Sequence, residues 1–169
     1  MELVKLDKSE FDSFYNEIIN AFIYDEYREY KEAKKLFFDG SYDIFCLKNN
    51  DTYIGFISIW HFSDFYFAEH FVVKEEFRSK GYGMRILAAI KEFLPKIVLE
   101  AEPPISELQM RRIGFYKRNG FIENEGEYYQ PAYKEGSNQV RLLIMSYPDK
   151  LSNFNTVCEQ IKRKVYSNR

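Results

Sequence analysis

The sequence is poor in the residues on which much independent side-chain chemistry rests. Of 169 residues only two are cysteine, Cys46 and Cys158, far apart and without metal-ligand spacing. That count excludes a disulfide framework, and two buried, reduced thiols are the expectation. Only two histidines occur, His61 and His70, which gives little support to a Ser-His-Asp arrangement or a histidine-built metal site. No metal is expected. No stretch approaches the ~18 apolar residues of a membrane span, and the opening MELVKLDKSEF lacks the apolar run of a signal peptide. A cytoplasmic protein without a membrane partner is the expectation. Basic charge is not in surplus: 24 Lys and Arg stand against 26 Asp and Glu, net −2. Non-specific nucleic-acid or anionic-membrane binding needs such a surplus, so nucleic acid is disfavoured as a partner, although a local basic patch stays compatible.

Rings are abundant. Sixteen Phe, 14 Tyr and one Trp make 18% of the chain, within 46% hydrophobic and 30% charged residues. This composition is globular, and a core or pocket must be built largely from aromatics. At ~150 residues per domain the length fits one domain. The pattern predicts a short strand over Glu2–Leu6 and a helix opened by a Ser9/Asp12 capping box, with Phe11, Phe14, Ile18 and Phe22 on one stripe. A second helix is expected over Asp25–Phe38, stopped by Gly40. Strands follow at Tyr42–Lys48, Thr52–His61 and Phe65–Val73, the first two joined at Asn49-Asn50-Asp51.

Beyond Gly83 the period becomes helical through Ile86, Leu87, Ile90 and Phe93, up to Pro95. An apolar strand at Lys96–Glu102 precedes a helix capped by Ser106 and Gln109 and ended by Gly120. A strand pair, Glu127–Tyr133 and Val140–Tyr147, flanks a turn at Lys134–Asn138. A last helix carries Leu151, Phe154, Val157, Ile161 and Val165 on one face and a basic tail of Lys162, Arg163, Lys164 and Arg169. The strand–helix–strand in the middle implies a parallel pair; the hairpins around it make the class α+β with a mixed sheet.

The informative stretch is Phe71–Met84 (FVVKEEFRSKGYGM). A strand enters a polar loop, and two glycines mark the start of a helix. Free N–H groups and the dipole at a helix N-terminus suit an anion such as phosphate. Gly81 and Gly83 let backbone approach phosphate oxygens, and Arg78 and Lys80 add two cations. A nucleoside-triphosphatase loop fits poorly, because Met84-Arg85 follows the last glycine where Lys-Ser/Thr is needed. A dinucleotide loop lacks its third glycine, Ile86 standing there, and about seven residues intervene after Val73 where the turn should be short.

Arg78-x-x-Gly81-x-Gly83 does resemble the Q/R-x-x-G-x-G/A motif of the GNAT superfamily of N-acetyltransferases, which holds the pyrophosphate of acetyl-CoA. Val73–Gly83 (VKEEFRSKGYG) resembles the family's V-x-P-x-x-R-G-x-G-x-G, with Glu75 at the usual Pro and Ser79 at the usual Gly. Phe115–Phe121 (FYKRNGF) resembles L-Y-x-x-x-G-F. Gln109 stands where many members carry Asn, and Arg111-Arg112 and Pro103-Pro104 lie outside the general motif. The resemblance covers roughly residues 2–147. It implies a mostly antiparallel sheet of six to seven strands, its central parallel pair splayed at the cofactor site, with helices on both faces. A domain over 1–148 would be followed by an added amphipathic helix over 149–169, packed on the same domain or on a partner subunit; monomer and homodimer both stay open.

The resemblance further implies an acetyl-CoA cosubstrate. Its pantetheine would pair with the strand Phe71, Val72 and Val73. Amides from Ser79 through Lys80, Gly81, Tyr82 and Gly83 to Met84 would hold its pyrophosphate, with Arg78 supporting the loop, and Gln109, Arg112, Phe115, Tyr116 and Arg118 of the later helix would line it. Tyr116 matches the family's general acid, a phenol that stays protonated at neutral pH. The N–H of Val73 is a candidate oxyanion donor. For a base, Glu69 shares strand parity with Phe71 and Val73, and Glu100 and Glu102 share a face near the splay; Glu69 and Glu102 are the preferred carboxylates. His70, on the opposite parity, reads as structural. The acceptor, an amine entering over the first two helices, would meet Tyr24-Asp-Glu-Tyr-Arg-Glu-Tyr30, acids among rings that suit a cation. The alternative is a non-catalytic acyl-CoA-binding regulatory module on the same fold.

Overall fold

The computed structural model describes residues 2–50, 52–132 and 138–166, the side chain of Asp25 excepted. Asp51 of the expected hairpin, Tyr133, the expected turn as far as Ser137, and Arg169 lie outside the described residues. Strand β1 (Glu2–Lys5) leads through a short 3₁₀ turn into helix α1 (Phe11–Ala21), and α2 (Tyr30–Asp39) follows. Strands β2 (Tyr42–Asn49), β3 (Thr52–His61) and β4 (Tyr66–Val73) come next, then α3 (Tyr82–Phe93), β5 (Ile97–Ala101) and α4 (Glu107–Arg118). Strands β6 (Ile122–Glu123), β7 (Tyr128–Gln130) and β8 (Val140–Tyr147) precede α5 (Phe154–Ile161), which widens into a π-helical turn over Lys162–Tyr166.

The strands form one mixed sheet in the order β1-β2-β3-β4-β5-β8-β6, with β7 also on β8. It has eight strands rather than six or seven, because Ile122–Glu123 and Tyr128–Gln130 pair separately along β8. Among the described residues only β4 and β5 run parallel. Helices α1, α2 and α5 cover one face, face A, through Phe11, Phe14, Ile18, Phe37, Val157 and Ile161 against Ile44, Phe56, Trp60 and Phe67. Helices α3 and α4 cover the other, face B, through Ile86, Leu87, Ile90 and Ile113 against Ile57, Ile59, Leu99 and Met145. Burying such side chains contributes roughly 1.5–3 kcal/mol each, so both faces are tightly held and the site must open between strands.

Local signals read from the sequence shift at two places. The first capping box is Asp7 with Glu10, two residues before Ser9/Asp12, because Asp7 is the extended residue whose carboxylate accepts from Ser9 N–H at 2.8 Å. The second helix begins at Tyr30 and not at Asp25, since Tyr27 is extended (φ −139°, ψ 157°) and Arg28 turns inward. The Ser106/Gln109 box and the left-handed residues at Gly40 and Gly120 are as expected.

Candidate active site

Pairing between β4 and β5 stops early. It joins Tyr66 to Ile97, Phe67 to Val98 and Ala68 to Leu99, and goes no further, although β4 runs on to Val73. Beyond this apex the strands part. The remaining edge of β4 is open, because its other edge stays on β3 as far as Val73↔Gly55. Lys74 N–H donates to Ile54 of β3 at 2.9 Å. Alternation from Lys74 then turns Val72 toward β3 and the amide groups of Phe71 and Val73 into the gap. Among the described residues the N–H and carbonyl of Phe71 and the N–H of Val73 are unpaired strand groups that call for a partner, whereas the Val73 carbonyl is taken by Arg78.

At the apex β4 carries a bulge. Ile57 opposes Phe71 and Ile59 opposes Ala68, so Ser58 alone faces both Glu69 and His70. The expected parity of Glu69 with Phe71 and Val73 therefore fails. Glu69 lies on face A, where Trp60 Nε1 donates to it at 2.6 Å, while Phe71 and Val73 pack on face B. His70 shares face A with Glu69. Its ring lies 4.6 Å from that of Phe22 at a tilt of 58°, and its ring nitrogens lie near Ser58 Oγ and the Glu26 carbonyl.

Two carboxylates stand together at this point. Glu69 on β4 and Glu100 on β5 both point to face A, one residue past the last parallel pair. The Glu69 side chain is 1% exposed and accepts from Arg28 Nη1 at 2.5 Å. Burial pushes its carboxyl up, but the Arg28 guanidinium and His70 outweigh this and hold it below the ordinary value. Arg28, reaching in from the segment before α2, also covers the Trp60 ring at 5.2 Å. Glu100 is bonded by no guanidinium among the described residues. It accepts from Tyr128 Oη, from Gln130 Nε2 at 2.9 Å and from Tyr166 Oη at 2.6 Å. Burial raises its carboxyl to about 7, the phenols pull the other way, and the neighbouring charge of Glu69 adds to the rise. Neighbouring environments thus set two carboxylates apart, one kept ionised and one titrating near neutrality.

Glu102 does not share a face with Glu100. It lies past the end of β5, half-exposed, where Arg112 Nη1 bonds it at 2.5 Å and Gln109 Nε2 at 3.3 Å, both from α4. The Gln109 carbonyl oxygen is taken up capping α4 at Ile105 and Ser106. Arg112 and Arg118 are exposed on α4, and Arg118 folds over Gly114.

The glycine loop sits at the mouth of the gap. Ser79 adopts φ +60° and Gly81 φ +81°, two left-handed residues that turn the chain into α3. Ser79 thus holds the conformation for which the family pattern has glycine. Arg78 Nε donates back to the Val73 carbonyl at 3.0 Å and Lys80 Nζ to that of Glu76 at 2.8 Å, which braces the loop on β4. A Cβ on Gly83 would stand 3.3 Å from the Phe115 ring, so the missing side chain lets α4 close on the start of α3. Phe71 lies 6.1 Å from Phe115 and 6.5 Å from Tyr116, ring to ring. Tyr116 is buried on face B, its phenol pushed up to about 12 by burial, Arg112 acting weakly against this. Its hydroxyl has no hydrogen-bond partner among the described residues and keeps contact with solvent. Both cysteines are free and buried, and burial raises Cys46 to about 12 and Cys158 to about 11, so neither is an activated nucleophile. Among the described residues no cluster of His, Cys, Asp and Glu could hold a metal, and no helix is long and apolar enough to cross a membrane.

Comparison with known proteins fits this geometry. The family model for the acetyltransferase (GNAT) domain matches residues 40–123. A solved structure from Bacteroides thetaiotaomicron, assigned to the GNAT acetyltransferase family, is 32% identical with a TM-score of 0.90, covering 98% of each chain. The chain belongs to the GNAT acetyltransferase family. Two more distant GNAT-like folds are a ribosomal-protein alanine N-acetyltransferase from Escherichia coli (17% identity, TM-score 0.64, 91% of this chain and 97% of that one) and an aminoglycoside 6'-N-acetyltransferase complexed with coenzyme A (14%, 0.61, 86% and 96%). No match was found among the curated proteins.

Sequence reasoning gave no site role to Tyr128, Gln130 or Tyr166, and took Arg28 only as one residue of the run Tyr24–Tyr30. Only Glu100 carried a usable signal, as a carboxylate inside the apolar run IVLEA. Arg28 sits in a run of acids and rings with no periodicity to flag it.

Proposed function

We propose that the protein is an N-acetyltransferase that moves the acetyl group of acetyl-CoA to a primary amine by direct attack, both substrates being bound together. The splay carries this reading: an open strand edge leads from the glycine loop to an apex where Glu69 and Glu100 stand. Amides from Ser79 to Met84 would hold the pyrophosphate, and Phe71 and Val73 would pair with the pantetheine arm. The residues present fit that group, since the unpaired edge and the left-handed turn are what it requires. Acetyl-CoA, when bound, would supply the acetyl group as a thioester, with the coenzyme A thiolate as the leaving group.

An arm running from the loop toward the apex brings the thioester near Glu69–Phe71 and leaves Val73 beside the phosphate end. The N–H of Phe71 is therefore a better donor than that of Val73 to the charge that builds on the thioester oxygen. As the new N–C bond forms and the C–S bond breaks, the amine gives its proton to Glu100 on face A. Tyr116 gives its own to the departing sulfur from face B. A carboxyl titrating near 7 suits the first transfer and a phenol protonated at neutral pH the second. Glu69, kept ionised by Arg28, contributes fixed negative charge that favours a cationic acceptor. Glu102, tied to Arg112, takes no part. The aminoglycoside and protein-alanine acceptors named for the two distant folds support an amine as the acceptor.

Calorimetry with acetyl-CoA, joined to thiol-release assays over a panel of polyamines, aminoglycosides and N-terminal peptides, tests the reading. Binding with turnover on at least one amine is expected. Binding without turnover on any amine would favour a regulatory acyl-CoA-binding module, and absence of binding would remove both readings.

A further inference from the structure

The segment beyond the family's matched region reaches the apex of the splay. Helix α5 buries Val157, Cys158 and Ile161 on face A, and the turn after it is π-helical. In α-helical register Tyr166 would stand roughly 140° round the axis from Ile161. The i→i+5 turn reduces that rotation, and π turns recur at functional sites. As a result Val165 and Tyr166, adjacent in sequence, are both buried, at 1% and 5% exposure. The Val165 carbonyl accepts from Arg28 Nη2 at 2.5 Å, and Tyr166 Oη donates to Glu100 while accepting from Gln130 Nε2 at 2.7 Å. One turn thus grips the partner of Glu69 and, by a separate bond, Glu100.

We infer that Tyr166 is a positioning residue for the Glu100 carboxylate, so that the C-terminal turn is part of the catalytic apparatus and not only a cover for the core. The inference rests on the proposed role of Glu100. The groups that face this carboxylate are Tyr128 and Gln130 from β7, Tyr166 from the turn, Glu69 from β4 with its partner Arg28, and Cys158 from α5. Among these, Tyr166 alone belongs to the π turn and bonds the carboxylate directly. Removing a donor to a carboxylate disfavours its ionised form.

The test is carbon-detected NMR titration of the full chain labelled at the glutamate carboxyl carbons, with the Glu100 signal identified by its loss in Glu100→Gln. Tyr166→Phe is expected to move the Glu100 midpoint upward by about one pH unit. The acid limb of the turnover profile should move with it. Val157→Ala, which loosens the same helix without touching Glu100, should lower the melting temperature and leave the midpoint in place. If Tyr166→Phe does not fold, 3-fluorotyrosine at position 166 keeps the ring and donates more strongly, and the midpoint should fall. An unmoved midpoint in the Tyr166 variant, or an equal movement in Val157→Ala, would overturn the inference. The titration needs no acceptor. An inactive protein whose midpoint still moves would count against the proposed activity and not against the contact, whereas turnover with an unmoved midpoint would count only against the positioning role.

Discussion

Replacing Glu100 by Gln should make the protein more stable at pH 8 and less active. The carboxyl of Glu100 ordinarily titrates at 4.5 and is raised to about 7 in the fold, mainly by burial. Below pH 4.5 the side chain is neutral in both folded and unfolded chains. Between 4.5 and 7 the unfolded chain releases its proton first, so the folded state binds more protons and stability falls as pH rises. Above 7 the full penalty is present. A displacement from 4.5 to about 7, at about 1.4 kcal/mol per pH unit, makes that penalty about 3 kcal/mol. For a chain of this size it corresponds to roughly 6–12 °C in melting temperature.

Glutamine has nearly the same shape and does not titrate. Its carbonyl oxygen can take the bonds from Gln130 and Tyr166, and the Tyr128 hydroxyl can rotate to accept from its NH₂. Any loss of hydrogen-bond quality is a constant offset. The difference in melting temperature between wild type and Glu100→Gln, measured from pH 4 to pH 9, removes the contributions of all other groups. It should grow in favour of the variant between pH 4.5 and 7 and then level off. A difference that stays flat with pH would refute the claim of a carboxyl titrating near neutrality, and with it the choice of Glu100 as base.

Tyr116→Phe should lower turnover at saturating substrates about 100-fold or more while acetyl-CoA affinity by calorimetry stays within about twofold; unchanged turnover would remove Tyr116 from the proton transfer. Arg28→Met should cost about 3–5 kcal/mol, because it strands the buried Glu69 carboxylate. Adding Glu69→Gln should recover part of that loss in urea unfolding, and a double variant no more stable than the single would show that the ion pair is not what Arg28 supplies.

Much of the scaffold was legible because the periodicities are strong. β3 and β8 fall where alternation and β-rich composition place them, and the glycine loop was found through residues whose types serve backbone geometry. The chemistry at the apex was harder to read. Strand parity assigns faces only while a strand is regular, and the bulge at Glu69–His70 adds one residue that no composition signal marks. Glu102 was attractive because it continues the parity of Glu100, yet β5 ends at Ala101 and alternation has no hold beyond it. Arg28 and Tyr166 meet their partners across 41 and 66 residues of sequence. Contacts of that span depend on how α2 and α5 dock on face A, which a local pattern does not encode. The second helix starts late for a related reason, since ending the extended run at Tyr27 lets Arg28 reach inward.

The bulge has a consequence for the backbone as well as for side chains. Before it, Tyr66 N–H is aimed at β5, donating to Lys96; after it, Phe71 and Val73 hold that orientation. The strand changes phase by one residue at the point where its neighbour departs. Deleting that extra residue would restore regular alternation and leave Phe71 and Val73 aimed at the gap, but only one residue would then stand opposite Ser58 where Glu69 and His70 both stand now. A single extra residue therefore lets Glu69 and His70 stand side by side on face A, so alignments through β4 should be anchored separately on each side of it.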